Sequence, residues 1–133
     1  MKSTRAVLAA VLVGAVLAIA MPTTAQDAKL RPYLLASEVP GTVAEVAAQT
    51  RSALTASGFD IVGEYPLSAA AHIIVVSSNA LRAAAAKTPD GGFGAVVRVS
   101  VTRVGASTQV AYTDPAWMSN VYRLGAEPID VRH

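Results

Sequence analysis

The 133-residue chain contains no cysteine. No disulfide can form and no lipid can be attached to a cysteine, so a lipoprotein is excluded and the fold depends on its apolar core alone. Ligands for a metal are also scarce, because the two histidines are His72, inside an apolar segment, and His133, the last residue. A zinc site needs several converging ligands. We therefore expect His72 to be structural, and we expect no metal or other cofactor.

The sequence lacks the short motifs of common active sites. Ser77 and Ser78 are not surrounded by the G-x-S-x-G of a hydrolase elbow, and helix capping is the simpler explanation for both. The glycine-rich residues 91–94 have neither the glycine order of a dinucleotide fold nor the lysine of a P-loop. We expect a tight turn whose backbone passes close to a neighbour, with anion binding by its amides as the alternative.

Only one long apolar run occurs, and it lies near the N-terminus. Residues 1–5 are basic, residues 6–21 are apolar, and small residues follow as far as Ala25. This order is typical of a secretory signal peptide. The run is shorter than the ~20 residues of a membrane-spanning helix. We expect cleavage after Ala25, a periplasmic or secreted protein, and no membrane contact after cleavage.

The part after the signal peptide has no excess charge. The chain carries 11 Lys+Arg and 9 Asp+Glu. Lys2 and Arg5 leave with the signal peptide, so nine basic residues then balance nine acidic ones. Nucleic-acid binding needs a basic surface, and we therefore expect no nucleic-acid partner.

A helix that begins after Thr42 is the best-specified element. Thr42 and Glu45 have the spacing of a capping box. Apolar residues follow at helical spacing, and Gly58 stands where a left-handed residue ends many helices. Residues 59–65 then alternate as a strand does, which predicts one face with Phe59, Ile61 and Tyr65 and another with Asp60 and Glu64.

Further strands and helices are predicted on both sides of this helix. Alternation and turn signals predict strands at 32–38, 71–76, 95–104 and 108–113, and the last two form a hairpin. Two further helices are predicted, one from 77 to about 87 and one from Asp114 to Gly125. The second of these has an apolar stripe of Trp117, Val121 and Leu124. The order β-α-β-β-α-β-β-α favours an α+β fold with a mixed or antiparallel sheet of about five strands and helices on one face. The predicted domain covers residues 33–125, between a flexible leader at 26–32 and an irregular tail at 126–133.

Three segments resemble domain-of-unknown-function family 302, a group of small bacterial α+β domains. They are SGFD at 57–60, GFG at 92–94 and, most specifically, YTDPAWMSNVYRL at 112–124. Together they place nearly all of residues 33–124 on the family pattern. The resemblance implies the same fold and suggests self-association, but it implies no reaction. Related chains commonly continue into a further amphipathic helix, so an end soon after Gly125 would leave part of the core or a dimer surface uncovered.

A candidate ligand or partner site lies around the last helix. Asn120 and Arg123 are three residues apart and share one helix face, with Tyr122 nearby. The loop residues Gly92, Phe93 and Gly94 complete the candidate. N-capping by Asp114 and a core position for Trp117 are the structural alternatives to a site.

We expect a non-enzymatic binding or interaction domain that recognises a small ligand or a protein partner. A small periplasmic enzyme with a polar site near the last helix is one alternative, and a structural subunit of an assembly is another. A homo-oligomer is expected, because a domain of this size buries a limited share of its surface. We also expect the predicted hairpin to leave an unpaired edge that invites another strand.

Overall fold

Five strands and three α-helices alternate along residues 30–124, the part of the chain that the computed structural model describes. The elements are β1 (Tyr33–Val39), α1 (Val43–Ala56), β2 (Asp60–Ser68), β3 (Ala71–Ser77), α2 (Asn79–Ala85), β4 (Val97–Val104), β5 (Ser107–Thr113) and α3 (Pro115–Tyr122). This order confirms the predicted α+β fold. The predicted signal peptide, most of the leader and the tail at 126–133 lie outside the described residues.

The sheet is antiparallel throughout, with the strand order β1-β5-β4-β3-β2. The first strand therefore pairs with the last, and β1 and β2 form the two edges. The β4–β5 hairpin lies inside the sheet, because β3 and β1 pair with its two sides. The prediction that the hairpin leaves an unpaired edge is wrong for this reason.

Helix α1 begins and ends as predicted. The Thr42 hydroxyl accepts from the Glu45 amide at 3.2 Å, and the Glu45 carboxylate accepts from the Thr42 amide at 2.9 Å. These two bonds complete the capping box. At the other end Gly58 has φ +85°, and the Phe59 amide reaches back to the Leu54 carbonyl at 3.0 Å. This is a Schellman motif, in which a left-handed residue satisfies the last carbonyls.

One face of the sheet packs against α1 and forms the core. Nine apolar residues are buried there: Val46, Ala47, Ile74, Val76, Leu81, Val97, Val99, Val101 and Val110. The predicted valine stripe of β4 is entirely on this side. Burying β-branched side chains of this size stabilises the fold by about 1.5–3 kcal/mol each.

The alternation predicted for β2 is broken by a bulge. The register shifts between Ile61 and Gly63, so that Ile61 lies opposite Val76 but Glu64 lies opposite Ile74. Ile61 and Glu64 therefore share the face that packs against α1, and Tyr65 lies on the other face. The expected grouping is correct for Phe59 and Ile61, which both pack against the core, and wrong for Glu64 and Tyr65, because the extra residue reverses the alternation after Ile61.

Helix α2, α3 and a short 3₁₀ helix at Gly91–Gly94 pack together at one end of the sheet. The 3₁₀ helix replaces the expected loop. Ser78 caps α2, since its hydroxyl accepts from the Leu81 amide at 3.2 Å, whereas Ser77 donates to the Ala95 carbonyl at 2.7 Å. The predicted cap is thus correct for Ser78 only.

Helix α3 is capped by Asp114, whose carboxylate accepts from the Ala116 amide at 2.9 Å. The helix ends at Arg123, which has φ +53° and whose amide donates to the Ser119 carbonyl. This end comes two residues before the predicted Gly125, which lies outside the described residues. Val121 is 50% exposed, so the predicted apolar stripe is wrong at that position.

The face of the sheet opposite α1 is not covered by any helix within residues 30–124, and we call it the open sheet face. Its middle row crosses all five strands, and the row contains Leu35, Ala111, Ser100, Ile73 and Tyr65. Leu35 and Tyr65, at the two ends of this row, are 58% and 46% exposed. The row is therefore a mainly apolar band, with the Ser100 hydroxyl at its centre and the Tyr65 hydroxyl at one end.

Within the described residues, the helices are too short or too polar for one of them to span a lipid bilayer.

Candidate functional site

A cleft of about 320 Å³ opens between the C-terminal half of α1 and the strands β5 and β1. We call it the α1 cleft. Its lining consists of Ala36, Ser37, Thr50, Ala53, Leu54, Ser57, Phe59, Val76, Val97, Val99, Val110 and Tyr112. The buried valines form its floor, and the exposed residues Ala53 and Ser57 stand at its mouth.

The cleft exists because α1 carries small side chains where it crosses the sheet. At the N-terminal end of α1, Val46 and Ala47 are buried against the strands. Further along, Thr50, Ala53 and Ser57 recur at three- and four-residue spacing, so they share one helix face. These small side chains do not fill the space above Val99 and Val110, and the gap remains open to solvent.

A β-bulge shapes the other wall of the cleft. Leu35 pairs with Ala111 and Ser37 pairs with Val110, so Ala36 is an extra residue in β1. Two consecutive residues, Ala36 and Ser37, consequently both line the cleft. Bulges of this kind are frequent beside binding sites, where they change the direction of side chains.

The lining is chemically uniform. Eight of its twelve residues are apolar and carry no polar side-chain atom; the other four, Ser37, Thr50, Ser57 and Tyr112, carry a hydroxyl, and none is ionisable at neutral pH. Small-molecule sites are typically concave and mostly apolar with a few polar groups, and they measure about 300–1,000 Å³. The α1 cleft has this character and lies at the small end of that range.

The sequence-predicted site residues come together, but mainly as packing. The rings of Phe93 and Tyr122 stack with centroids 4.8 Å apart and planes inclined by 8°. A side chain at Gly94 would place its Cβ 2.3 Å from a methyl of Leu124. The 3₁₀ helix is thus in contact with the end of α3 and the residues after it, and a side chain at Gly94 would have to displace the Leu124 side chain.

The polar members of that candidate do not converge on a ligand position. The Asn120 amide group donates to the Ala116 carbonyl of its own helix at 2.8 Å. Arg123 ends α3 in a left-handed conformation and is exposed. No Cβ added at Gly92 would meet an atom within 4 Å. The exposed faces of Phe93 and Tyr122 remain the part of this region that a partner could contact.

Glycine 91 confirms the expected close approach of backbones. A Cβ at this position would lie 1.6 Å from the Ala85 carbonyl oxygen. The absence of a side chain at Gly91 is therefore a packing requirement between α2 and the 3₁₀ helix. Anion binding is not needed to explain it.

A second polar cluster was not found by sequence reasoning. Glu64 accepts from Arg51 of α1 through both carboxylate oxygens, one of them at 2.9 Å from Nε. The Nε2 atom of His72 lies 2.7 Å from Glu64 Oε1. The hydrogen bond from Arg51 is the largest cause that lowers the pKa of Glu64 to about 2, with His72 adding to it.

This cluster fastens α1 to the sheet and offers no free reactive group. Both oxygens of Glu64 are already used, and its low pKa makes it a poor proton acceptor. His72 is placed on the α1 side of β3 by its position opposite Val101. Among residues 30–124 no three His, Asp or Glu side chains are grouped so that they could hold a metal ion.

No protein-family model matches the chain, and none of the proteins of curated function matches it significantly. The resemblance to family 302 therefore stays a prediction.

The α1 cleft could have been suspected from one sequence signal. Thr50, Ala53 and Ser57 are small residues on one face of α1. A helix that packs tightly against a sheet carries large apolar side chains on that face.

Proposed function

We propose that the protein is an exported, non-enzymatic binding domain that holds a small, mainly apolar ligand in the α1 cleft. The observation that carries this proposal is a solvent-accessible space of about 320 Å³ above a floor of buried valines. Removing apolar ligand surface from water there is worth about 25 cal/mol per Å². The absence of a poised acid, base or nucleophile among the lining residues favours binding over catalysis.

The test uses N-phenyl-1-naphthylamine, a neutral apolar dye that fluoresces when it leaves water. We expect saturable fluorescence with the wild-type domain. Ala53→Leu should weaken dye binding at least tenfold, because the added side chain projects into the α1 cleft. Ala48→Leu is the matched control, since Ala48 is exposed on the same helix and does not line the cleft.

Two results would contradict the proposal. One is the absence of saturable dye binding to wild-type protein that circular dichroism shows to be folded. The other is an equal loss of binding in Ala53→Leu and Ala48→Leu, which would place the dye elsewhere.

We also propose that the protein forms a homodimer through the open sheet face. Its five strands and seven-residue edge strand make a face of roughly 24 by 23 Å. That is about 550 Å² before side-chain relief, which is of the same order as the ~800 Å² that each partner buries in a stable complex. A second copy presents the same apolar band, and a two-fold axis brings the two bands together.

Light scattering over a concentration series tests the dimer. Leu35→Lys should reduce the mass to that of a monomer, because it places a charge at the end of the apolar band. Val62→Lys is a control on the edge strand β2, outside the middle row. A wild-type protein that stays monomeric at high micromolar concentration would remove this second proposal and leave the first intact.

A further inference from the structure

The two walls of the α1 cleft differ in polarity. The sheet side presents mainly valines from β3, β4 and β5, and there only Ser37 and Tyr112 carry a hydroxyl. The helix side presents two hydroxyls, on Thr50 and Ser57, which are seven residues apart and therefore about 10 Å apart along the axis. Ala53 and Leu54 lie between them. A ligand in the cleft therefore meets polar atoms on the helix side at two positions.

The hydrogens of these two hydroxyls are already used. Thr50 donates to the Val46 carbonyl at 2.7 Å, and Ser57 donates to the Ala53 carbonyl at 2.9 Å. A hydroxyl has one hydrogen to donate and two lone pairs to accept with. What α1 offers to a ligand is therefore hydrogen-bond acceptors. Ser37 and Tyr112, on the sheet side, can donate as well as accept a hydrogen bond. They therefore do not discriminate between ligands that carry a donor and ligands that carry an acceptor.

Charge gives a second constraint on the ligand. The charged side chains of α1 are engaged away from the cleft, Glu45 with Thr42 and Arg51 with Glu64. None of the twelve lining residues supplies a cation. A carboxylate inside the cleft would lose hydration without gaining an ionic partner, which costs several kcal/mol.

We propose that the ligand of the α1 cleft is a neutral, mainly apolar molecule that carries an O–H or N–H donor, which the hydroxyl oxygen of Thr50 or of Ser57 accepts. This inference rests on the proposed binding function and names the chemical class of its ligand. It excludes fatty-acid-like anions in favour of compounds such as phenols and alcohols.

The experiment compares three compounds with one skeleton by isothermal titration calorimetry. 4-Propylphenol has an O–H donor, 4-propylanisole has that hydrogen replaced by methyl, and 4-propylbenzoate is an anion. We expect the phenol to bind at least about fivefold more tightly than the anisole, which matches one hydrogen bond. The benzoate should bind more weakly than both.

The double variant Thr50→Val with Ser57→Ala removes both acceptors at nearly constant shape. It should bring the affinity of the phenol down to that of the anisole and leave the anisole unchanged. A urea melt confirms that the variant is folded; if it is not, the single variants replace it. Ser52→Ala is the control, since Ser52 also donates to its own helix but lies outside the cleft.

The possible failures are distinct. If none of the three compounds binds and the dye does not bind either, the proposed function is wrong. If phenol and anisole bind equally to the wild-type protein, apolar binding stands and the donor requirement is overturned. Tighter binding of the benzoate would overturn the requirement for a neutral ligand.

Discussion

Gly91 and Gly92 are adjacent in the sequence but have opposite surroundings. A Cβ at Gly91 would overlap the Ala85 carbonyl, whereas a Cβ at Gly92 would meet nothing within 4 Å. We expect Gly91→Ala to lower the free energy of unfolding by about 1–3 kcal/mol, because α2 and the 3₁₀ helix must separate. Gly92→Ala is the matched control and should change it little. Urea melts measure both, and equal midpoints would show that the approach of α2 is not tight.

Thr42 is the second position at which one side chain decides local stability. Its hydroxyl accepts from the Glu45 amide, which has no other partner inside the helix. Thr42→Ala should therefore cost about 1 kcal/mol in the free energy of unfolding. Thr55→Ala serves as the control, because Thr55 donates to its own helix at an exposed position. An unchanged urea midpoint for Thr42→Ala would mean that the cap does not contribute.

At the scale of elements, α1 is bound to the sheet by an ion pair on one side and borders an open cleft on the other. Arg51 and Glu64 join it to β2, whereas the α1 cleft separates its opposite side from β5 and β1. The pKa of Glu64 is lowered from 4.5 to about 2. Glu64 therefore stabilises the fold fully above pH 4.5, and this contribution is lost as the pH falls from about 4.5 to about 2.

The expected pH dependence is measured with Glu64→Gln. The stability difference between wild type and Glu64→Gln should be largest at neutral pH and should shrink as the pH falls through that window. Thr55→Ala, at an exposed position of α1, removes no titratable group; it is the control and should show no such trend. A difference that stays constant down to pH 2 would contradict the role of the Arg51–Glu64 bond.

The limits of helices and strands could be predicted from the sequence where local interactions determine them. Which side chains point to each face of a strand could not be predicted in the same way. Thr42, Glu45 and Gly58 act within a few residues of their partners, so the limits of α1 followed from the sequence. The bulges in β1 and β2 depend on which strand lies alongside. One extra residue reverses every later side chain, and no local pattern reveals it.

At the scale of the whole molecule, the α1 cleft illustrates the same limit. Each of its walls is an ordinary predicted element, but the gap depends on how closely α1 approaches β5. Phe93 and Tyr122 of the sequence-predicted candidate are in contact, because their segments flank the same end of the sheet. The polar side chains of this candidate do not meet at one ligand position, since the Asn120 amide group donates to a carbonyl of its own helix.

The prediction of export also concerns the whole chain. The basic, apolar and small residues at the N-terminus predict cleavage after Ala25. Intact-mass measurement of the protein recovered from the periplasm or the medium tests this, and the expected mass is that of residues 26–133. Lys2→Glu with Arg5→Glu should slow export, whereas Arg31→Glu, beyond the cleavage site, should not. A recovered mass that includes residues 1–25 would overturn the prediction.

The pairing of β1 with β5 has a consequence for the timing of folding. The start of the first strand finds its hydrogen-bond partner only after some eighty further residues have been synthesised, since Tyr33 lies opposite Thr113. Contacts so distant in sequence form late and slowly. A nascent chain still missing β5 has β1 without its neighbour, although eight of the nine buried core residues are already present. The five-stranded sheet is therefore completed only when the last strand arrives.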